Sequence, residues 1–353
     1  MKAAFVISGF ARRASGGHKI IYEYANYLVE NGCDVSIYFL NTNSLANVRM
    51  PMRLKAALAT FVIKYSKIKW FDLNRNVKRH PISAINDSKI SDNDVIVACD
   101  VRTPMDVAKL SSHKGKKFYL IQGFENWYVS DAYVYDTYSL DMNKIVISSW
   151  LKKIVDKYSP SPSVIIPDGI NTEIFKYKTP YFDRKAHSIC FHYRSASIKG
   201  CKYAIETIEY LKETYPDLIV KVVSNEKKPQ GLPAYCDFFY NLSSEEVAKI
   251  NNSVRVFMCT SINEGYGLPA LEAMACGCSV VSSAYLGIKE YGIDGYNVLF
   301  SPERDSVAMA SNVKRIFEND CMAEKLSNNG IQTGQNFSNK CSCKKFYAVI
   351  RGD

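Results

Sequence analysis

Short apolar runs alternate along this chain with segments whose apolar positions recur at helical spacing. The first run, Ala3 to Ile7, reads as a buried strand and is followed by a loop from Ser8 to Gly17. Ile20, Ile21, Tyr24, Ala25 and Leu28 then mark one face of a helix that Gly32 ends, and Asp34 to Leu40 returns as the next strand. This is a strand–helix–strand unit of the doubly wound kind. Asp94 to Cys99, Lys117 to Ile121 and Lys144 to Ile147 repeat the strand pattern, and Val164 to Asn171 is a strand running into a turn at Pro167 and Gly169. The polar stretch Tyr177 to Lys185, with Pro180, reads as a linker. Beyond it, Ser188 to Tyr193, Leu218 to Val223, Cys236 to Tyr240, Val254 to Cys259, Ser279 to Val281 and Asn297 to Phe300 are further strands. Helices are expected over Lys202 to Glu213, after Ser243, and over Glu303 to Phe317, Met322 to Asn328 and Phe337 to Ile350.

Composition narrows the class. A length of 353 residues with 47% hydrophobic content suits two cores of ordinary size. No run of about 18 apolar residues occurs, and the first residues turn polar too soon for a signal peptide, so the expected location is cytoplasmic. Cys99, Cys190 and Cys259 sit in strand-like runs, as reduced core thiols do, and neither Cys276-x-Cys278 nor Cys341-x-Cys343 has zinc-site spacing. The net charge of +10 is concentrated between Arg49 and Arg79, where nine basic residues face the single acid Asp72. Leu54, Leu58, Phe61, Val62, Tyr65 and Ile68 recur there at helical spacing, with Trp70 and Phe71 just after. Such a basic amphipathic stretch suits either an anionic membrane surface or an ordinary helix packed on the sheet. No nucleic-acid motif accompanies the charge, so nucleic acid is not expected as a partner.

The chemistry centres on Asn263 to Gly277. A strand, a glycine-rich turn and a helix start with Pro269 in the first turn aim backbone N–H groups and a helix dipole at one point, which suits an anion such as phosphate. Glu264 in the turn and Glu272 about one turn into the helix both reach a ligand lodged there, and carboxylates accept from sugar hydroxyls. Arg194 and Lys199, five apart in another strand-to-helix turn, can converge on one anion. The turn before the first helix contains Gly16-Gly17, but the G-x-G-x-x-G of a nicotinamide enzyme is missing. Asp100, Arg102 and Gln122 follow strand ends, where open parallel sheets bind ligands, and they serve either an acceptor or the strand caps themselves.

The block from Glu264 to Gly277 resembles the E-x7-E signature of the retaining glycosyltransferases of family 4, with Tyr266 in the place of the usual Phe. Arg194 to Gly200 is similar to that family's G-R-x4-K-G, with Tyr193 for the Gly, and Ile166 to Asn171 to its I-P-N-G-I-D. The resemblance implies a GT-B fold: two Rossmann-like doubly wound domains facing across a cleft, an acceptor-binding domain over 1–176 and a donor-binding domain over 186–336, with the last helix, 337–353, crossing back to the first. It implies a hexosyltransferase (EC 2.4) that moves a sugar from a nucleotide diphosphate sugar to a glycan or lipid-linked glycan, with retention and without a metal or other cofactor. Arg194, Lys199 and Glu264 take the catalytic positions. Gly16, Gly17, Gly265, Tyr266, Gly267, Leu268 and Glu272 take the donor, and Asp100, Arg102 and Gln122 the acceptor. The protein would then act in polysaccharide, lipopolysaccharide or capsule synthesis, peripheral on the inner face of the cytoplasmic membrane. The family often places a His near the first acceptor-side strand end, and none of His18, His80, His113, His187 and His192 stands there in sequence. A nucleotide-sugar epimerase or another sugar-phosphate enzyme of the same fold is the alternative.

Overall fold

The computed structural model describes residues 1–41, 51–127 and 129–352, the side chains of Met52 and Arg53 apart. Arg49, the first residue of the basic stretch, lies outside them. The chain divides into two compact units, Met1–Pro167 with Ser342–Asp353, and Asp168–Cys341.

Unit 1 is one parallel sheet built from β1 (Lys2–Ile7), β2 (Asp34–Leu40), β3 (Lys78–Ile82), β4 (Val95–Cys99), β5 (Lys116–Ile121), β6 (Asn143–Val146) and β7 (Val164–Ile165). Their order is β3-β2-β1-β4-β5-β6-β7, so the winding reverses between β1 and β4, where Ile7 stands opposite Cys99. Helices α1 (Gly16–Glu30), α2 (Met52–Tyr65), α3 (Pro104–Ala108), α4 (Asp131–Tyr138) and α5 (Ser149–Val155) connect the strands. The apolar residues of the central strands β1, β4, β5 and β6 are buried, as continuous runs in a sheet covered on both faces must be. β3 escapes a reading by hydrophobicity because it is Lys-Arg-His-Pro-Ile. Proline is tolerated there since the strand lies at the sheet edge.

In the basic stretch most of the apolar stripe on α2 lies at the surface. α2 packs through Ala59 and Ile63, whereas Leu54, Leu58, Phe61 and Tyr65 are exposed. Trp70 and Phe71, an interfacial pair by sequence, turn inward instead. Both rings lie against Tyr22 of α1, at 5.7 and 5.5 Å, and Trp70 Nε1 donates to Ala11 O at 3.1 Å.

Unit 2 contains β8 (Lys185–His192), β9 (Ile219–Ser224), β10 (Cys236–Tyr240), β11 (Val254–Cys259), β12 (Ser279–Ser283) and β13 (Val298–Ser301), in the order β10-β9-β8-β11-β12-β13. It also contains α6 (Cys201–Thr214), α7 (Ser244–Asn251), α8 (Leu268–Ala275), α9 (Ser306–Phe317) and α10 (Asp320–Asn336). Its core joins Ile189, Phe191, Val220, Val222, Val256 and Met258 to the α6 row Ala204, Ile208, Leu211. Ser243 caps α7 in a capping box with Glu246, two orphan N–H groups being satisfied reciprocally. α10 runs beyond Asn328, where its asparagines and glycines weaken the helical pattern. The glycines are steric: a Cβ on Gly334 would lie 2.5 Å from that of Ala275, so α10 lies directly against α8.

The polar stretch Tyr177 to Lys185 is folded into unit 2 and is not a free linker. Tyr181 is buried with its hydroxyl accepting from Ser279 Oγ at 3.1 Å. The buried Arg184 donates to Cys276 O at 2.7 Å, Val254 O at 2.9 Å and Thr179 O at 2.9 Å. Ile170 bridges to Ser338, so the break falls at Pro167. The last helix, α11 (Asn339–Arg351), packs on unit 1, its Phe346 ring stacking on Tyr24 at 4.1 Å and on Phe5 at 5.9 Å. Among the described residues no helix is long and apolar enough to cross a membrane.

Candidate functional site

In unit 2 the winding reverses between β8 and β11, and two loops leave the carboxyl ends of those strands side by side. Parallel sheets bind ligands at such a point. The loop after β8 carries Arg194 and a single 3-10 turn, Ser197–Lys199, and the loop after β11 runs through Glu264 into α8. Ile262 N donates to Ile198 O at 2.8 Å, which locks the loops together. Gly200 lets them approach so closely, at φ +60 and with the position of a Cβ only 2.0 Å from Thr260 O. Gly200→Ala is therefore expected to cost about 1–3 kcal/mol of strain or to push the loops apart. Urea unfolding of that variant checks it, and an unchanged midpoint would show that the crossing is looser.

The crossing brings Lys199 Nζ to 3.0 Å from Glu264 Oε1, while Glu264 Oε2 accepts from Ser261 Oγ at 3.0 Å. A partly exposed pair of this kind is worth about 1 kcal/mol or less, so an incoming anion can take the ammonium at small cost. Arg194 is half-buried and held by donation to Tyr193 O at 2.7 Å. Burial pulls its pKa below the usual guanidinium value, opposed by the carboxylates of Glu226 and Glu264, so its charge is felt at the same place. α8 starts there with no side-chain cap and with Pro269 in its first turn, leaving the positive end of the helix to a ligand. Glu272 is 8% exposed, one turn inside. The Tyr266 side chain points away from this mouth. It is buried, with its ring among Tyr291 and Phe337, and burial raises the hydroxyl pKa far above its usual value. Only the backbone of residue 266 is thus placed at the mouth. Gly267 O accepts from Tyr291 Oη at 2.6 Å, which ties the turn to a buried aromatic group.

Unit 1 gathers its own polar cluster at the reversal between β1 and β4. Asp100, at φ +100, accepts from Ser8 N at 2.9 Å and from Arg102 N at 3.0 Å, and Arg102 lies 3.6 Å from the same carboxylate. Gln122 lies over Gly17, Nε2 donating to Gly17 O at 3.4 Å, whereas the space above Gly16 is open. His18 corrects the expectation that no histidine stands at this end. Its Nε2 donates to Gly9 O at 2.9 Å and its Nδ1 accepts from Ser15 Oγ at 3.2 Å. Burial lowers its pKa, with Asp100 and Arg102 near enough to act on it, so the ring is a neutral, oriented group. The usable signal was topological: the first turn after β1 must lie beside the end of β4.

Glu125 follows the same strand end as Gln122 and joins this cluster. Its Oε2 accepts from Val101 N at 2.7 Å, and burial, helped by Asp100, pushes its pKa up to about 7. Below the ordinary value of 4.5 both folded and unfolded chains are protonated and the shift has no effect. As pH rises from there through about 7 the unfolded chain gives up its proton first, so stability is lost across that window. Glu125→Gln keeps an acceptor for Val101 and is expected to add about 1–3 kcal/mol at pH 8 and almost nothing at pH 4. Thermal unfolding at both pH values checks this, and an equal gain at both would contradict it.

Residues 178–333 match the family model of the glycosyl transferases group 1. Among curated proteins, an uncharacterized glycosyltransferase of Methanocaldococcus jannaschii is 23% identical over 219 residues, 60% of this chain and 61% of that one. A D-inositol 3-phosphate glycosyltransferase of Corynebacterium diphtheriae is 21% identical over 220 residues, 54% of this chain and 51% of that one. The matched part is thus little more than half the length of either relative. Among solved structures, the sucrose-phosphate synthase of Thermosynechococcus elongatus superposes with a TM-score of 0.77 at 16% identity, covering 99% of this chain and 98% of that one. Anabaena HepE in complex with UDP and glucose superposes at 0.75 and 12% identity, with 100% of both chains covered. The chain therefore has the GT-B fold of two Rossmann-like units, and over residues 178–333 it matches the group 1 glycosyl transferases.

Proposed function

We propose that this protein is a retaining hexosyltransferase of the family 4 type, moving a sugar from a nucleotide diphosphate sugar to a hydroxyl of a glycan or lipid-linked glycan. The observation that carries the reading is the Lys199–Glu264 pair at the uncapped start of α8. In the proposed step the bond from the anomeric carbon to the diphosphate breaks while the acceptor oxygen bonds to that carbon on the same face. The acceptor proton passes to the departing phosphate. Arg194 and Lys199 neutralise the charge that develops as the diphosphate leaves, which is electrostatic stabilisation of an anion in a fixed site. Glu264 and the backbone of Gly265 to Leu268 hold the hexose and phosphate, and Glu272 holds the ribose hydroxyls. On unit 1 we assign Asp100, Arg102 and Gln122 to the acceptor and add His18, with Gly16 and Gly17 offering backbone to the donor.

A screen of nucleotide sugars for thermal stabilisation tests the donor class. A ligand at a hundred times its dissociation constant adds about 2.7 kcal/mol. Because the Anabaena HepE structure holds UDP and glucose, uridine diphosphate sugars come first. Stabilisation by no nucleotide sugar would contradict the reading. We extend the proposal to metal independence, because two cations and a helix dipole already face the diphosphate. Transfer is expected to continue in excess chelator, whereas activity that collapses and returns with manganese would overturn that part. We further propose that unit 1 faces an anionic membrane through the described part of the basic stretch, placing the enzyme at the inner leaflet beside a lipid-linked acceptor in envelope glycan synthesis.

A further inference from the structure

One cavity in unit 1, about 370 Å³, belongs to neither cluster described above. Lys64, Lys67, Arg75 and Arg79 line it against the single acid Asp72, with Ile68 and Phe71 as apolar wall. Its size falls at the low end for small-molecule sites. Arg79 is fixed in the wall by donation to Ser66 O at 2.7 Å and Lys64 O at 3.1 Å, the carbonyls that close the end of α2. Among the described residues none of these four cations is paired with a carboxylate. Lys64, which lines the cavity, links it to the exposed row of α2. Lys64 Nζ lies 5.8 Å from the Tyr65 ring, and that ring lies 5.3 Å from Phe61. Leu58 and Leu54 continue the row at helical spacing for about 16 Å in all. Leu54, Phe61 and Tyr65 are each at least 60% exposed, which is unusual for contiguous large apolar side chains on one helix face.

A cationic pocket joined through Lys64 to a neighbouring apolar strip is complementary to a molecule with an anionic head and an apolar tail. We propose that the pocket takes the phosphate headgroup of an anionic phospholipid, with the acyl chain lying along Leu54, Leu58, Phe61 and Tyr65. This rests on the reading of unit 1 as membrane-facing and goes beyond it by replacing diffuse attraction with a discrete site. Salt screening would erase a diffuse effect, whereas Lys64, Lys67 and Arg75 gathered around the anchored Arg79 can converge on a single phosphate.

The test uses a short-chain phosphatidylglycerol (dihexanoyl) below its micelle-forming concentration, followed by calorimetry, and phosphatidylglycerol vesicles followed by co-sedimentation. Three double variants of the full chain are compared: Lys67→Gln with Arg75→Gln in the pocket, Lys69→Gln with Lys89→Gln outside it, and Leu58→Ser with Phe61→Ser on the row. All six positions are surface positions, and circular dichroism confirms folding. The pocket variant is expected to lose about thirtyfold in affinity for the soluble lipid, the row variant about tenfold and the charge-matched control less than about twofold. Equal losses in the pocket variant and the control overturn the site. Vesicle binding without any binding of the soluble lipid also overturns it, while leaving the membrane reading in place. Binding of the soluble lipid without vesicle binding supports the site and removes the membrane reading. Competition by glycerol 3-phosphate as strong as the lipid itself would overturn the role given to the apolar row.

Discussion

Replacing Arg194 or Lys199 by alanine is expected to lower sugar transfer by about 100- to 1,000-fold, with the fold intact. In the proposed step each side chain supplies a positive charge whose value grows as the diphosphate separates, so its loss appears in kcat more than in KM. Deleting one donor aimed at a developing anion costs about 2.7–4 kcal/mol, which sets the range. The structure sharpens the expectation for Lys199, because its ammonium sits 3.0 Å from Glu264. Its removal takes away a charge and also leaves that carboxylate facing the diphosphate. Lys199→Ala should therefore be at least as damaging as Arg194→Ala, and Lys199→Arg should recover part of the rate. Turnover close to that of the unmodified protein in either alanine variant, with an unchanged unfolding midpoint, would remove the catalytic assignment.

The two carboxylates are expected to separate in a binding experiment. Glu272 lies one turn inside α8 and almost out of solvent, and in the proposed reading it holds the ribose, so Glu272→Ala should weaken both the free nucleotide diphosphate and the intact donor. Losing hydrogen bonds to a charged group costs about 1.5–3 kcal/mol, or about 10- to 150-fold. Glu264→Ala should act differently. It deletes the acceptor for sugar hydroxyls, so the intact donor binds more weakly by a similar factor, yet it frees Lys199 for phosphate. Affinity for the free nucleotide diphosphate should then hold or rise. Calorimetry with both ligands on both variants decides it, and equal losses everywhere would contradict the separation.

The sheets were legible in the sequence because parallel strands covered on both faces are written as unbroken apolar runs, such as Ala3 to Ile7 and Val254 to Cys259. The edge strand β3 was not, since its Lys-Arg-His-Pro-Ile needs no second covered face. The orientation of α2 stayed open between surface and sheet for a related reason. Helical spacing identifies a stripe, but Ala59 and Ile63 form a second, smaller stripe, and only contact with the sheet decides which one is buried. Within the candidate site, the strand-turn-helix around Glu264 carried its own signal because each part is local. The Lys199–Glu264 pair needed the loop crossing at Gly200, which joins residues far apart in sequence. His18 was missed in the same way: it reaches the Asp100 cluster from α1, and only strand order brings it there.

Amide hydrogen exchange in the presence and absence of UDP is the most direct test of the claim that the loops meeting at the start of α8 hold the nucleotide end of the donor. The expected result is protection concentrated in two segments, 193–200 and 260–272, removed together by Glu272→Ala. Protection confined to the Asp100 cluster of unit 1, or none anywhere at saturating UDP, would contradict it.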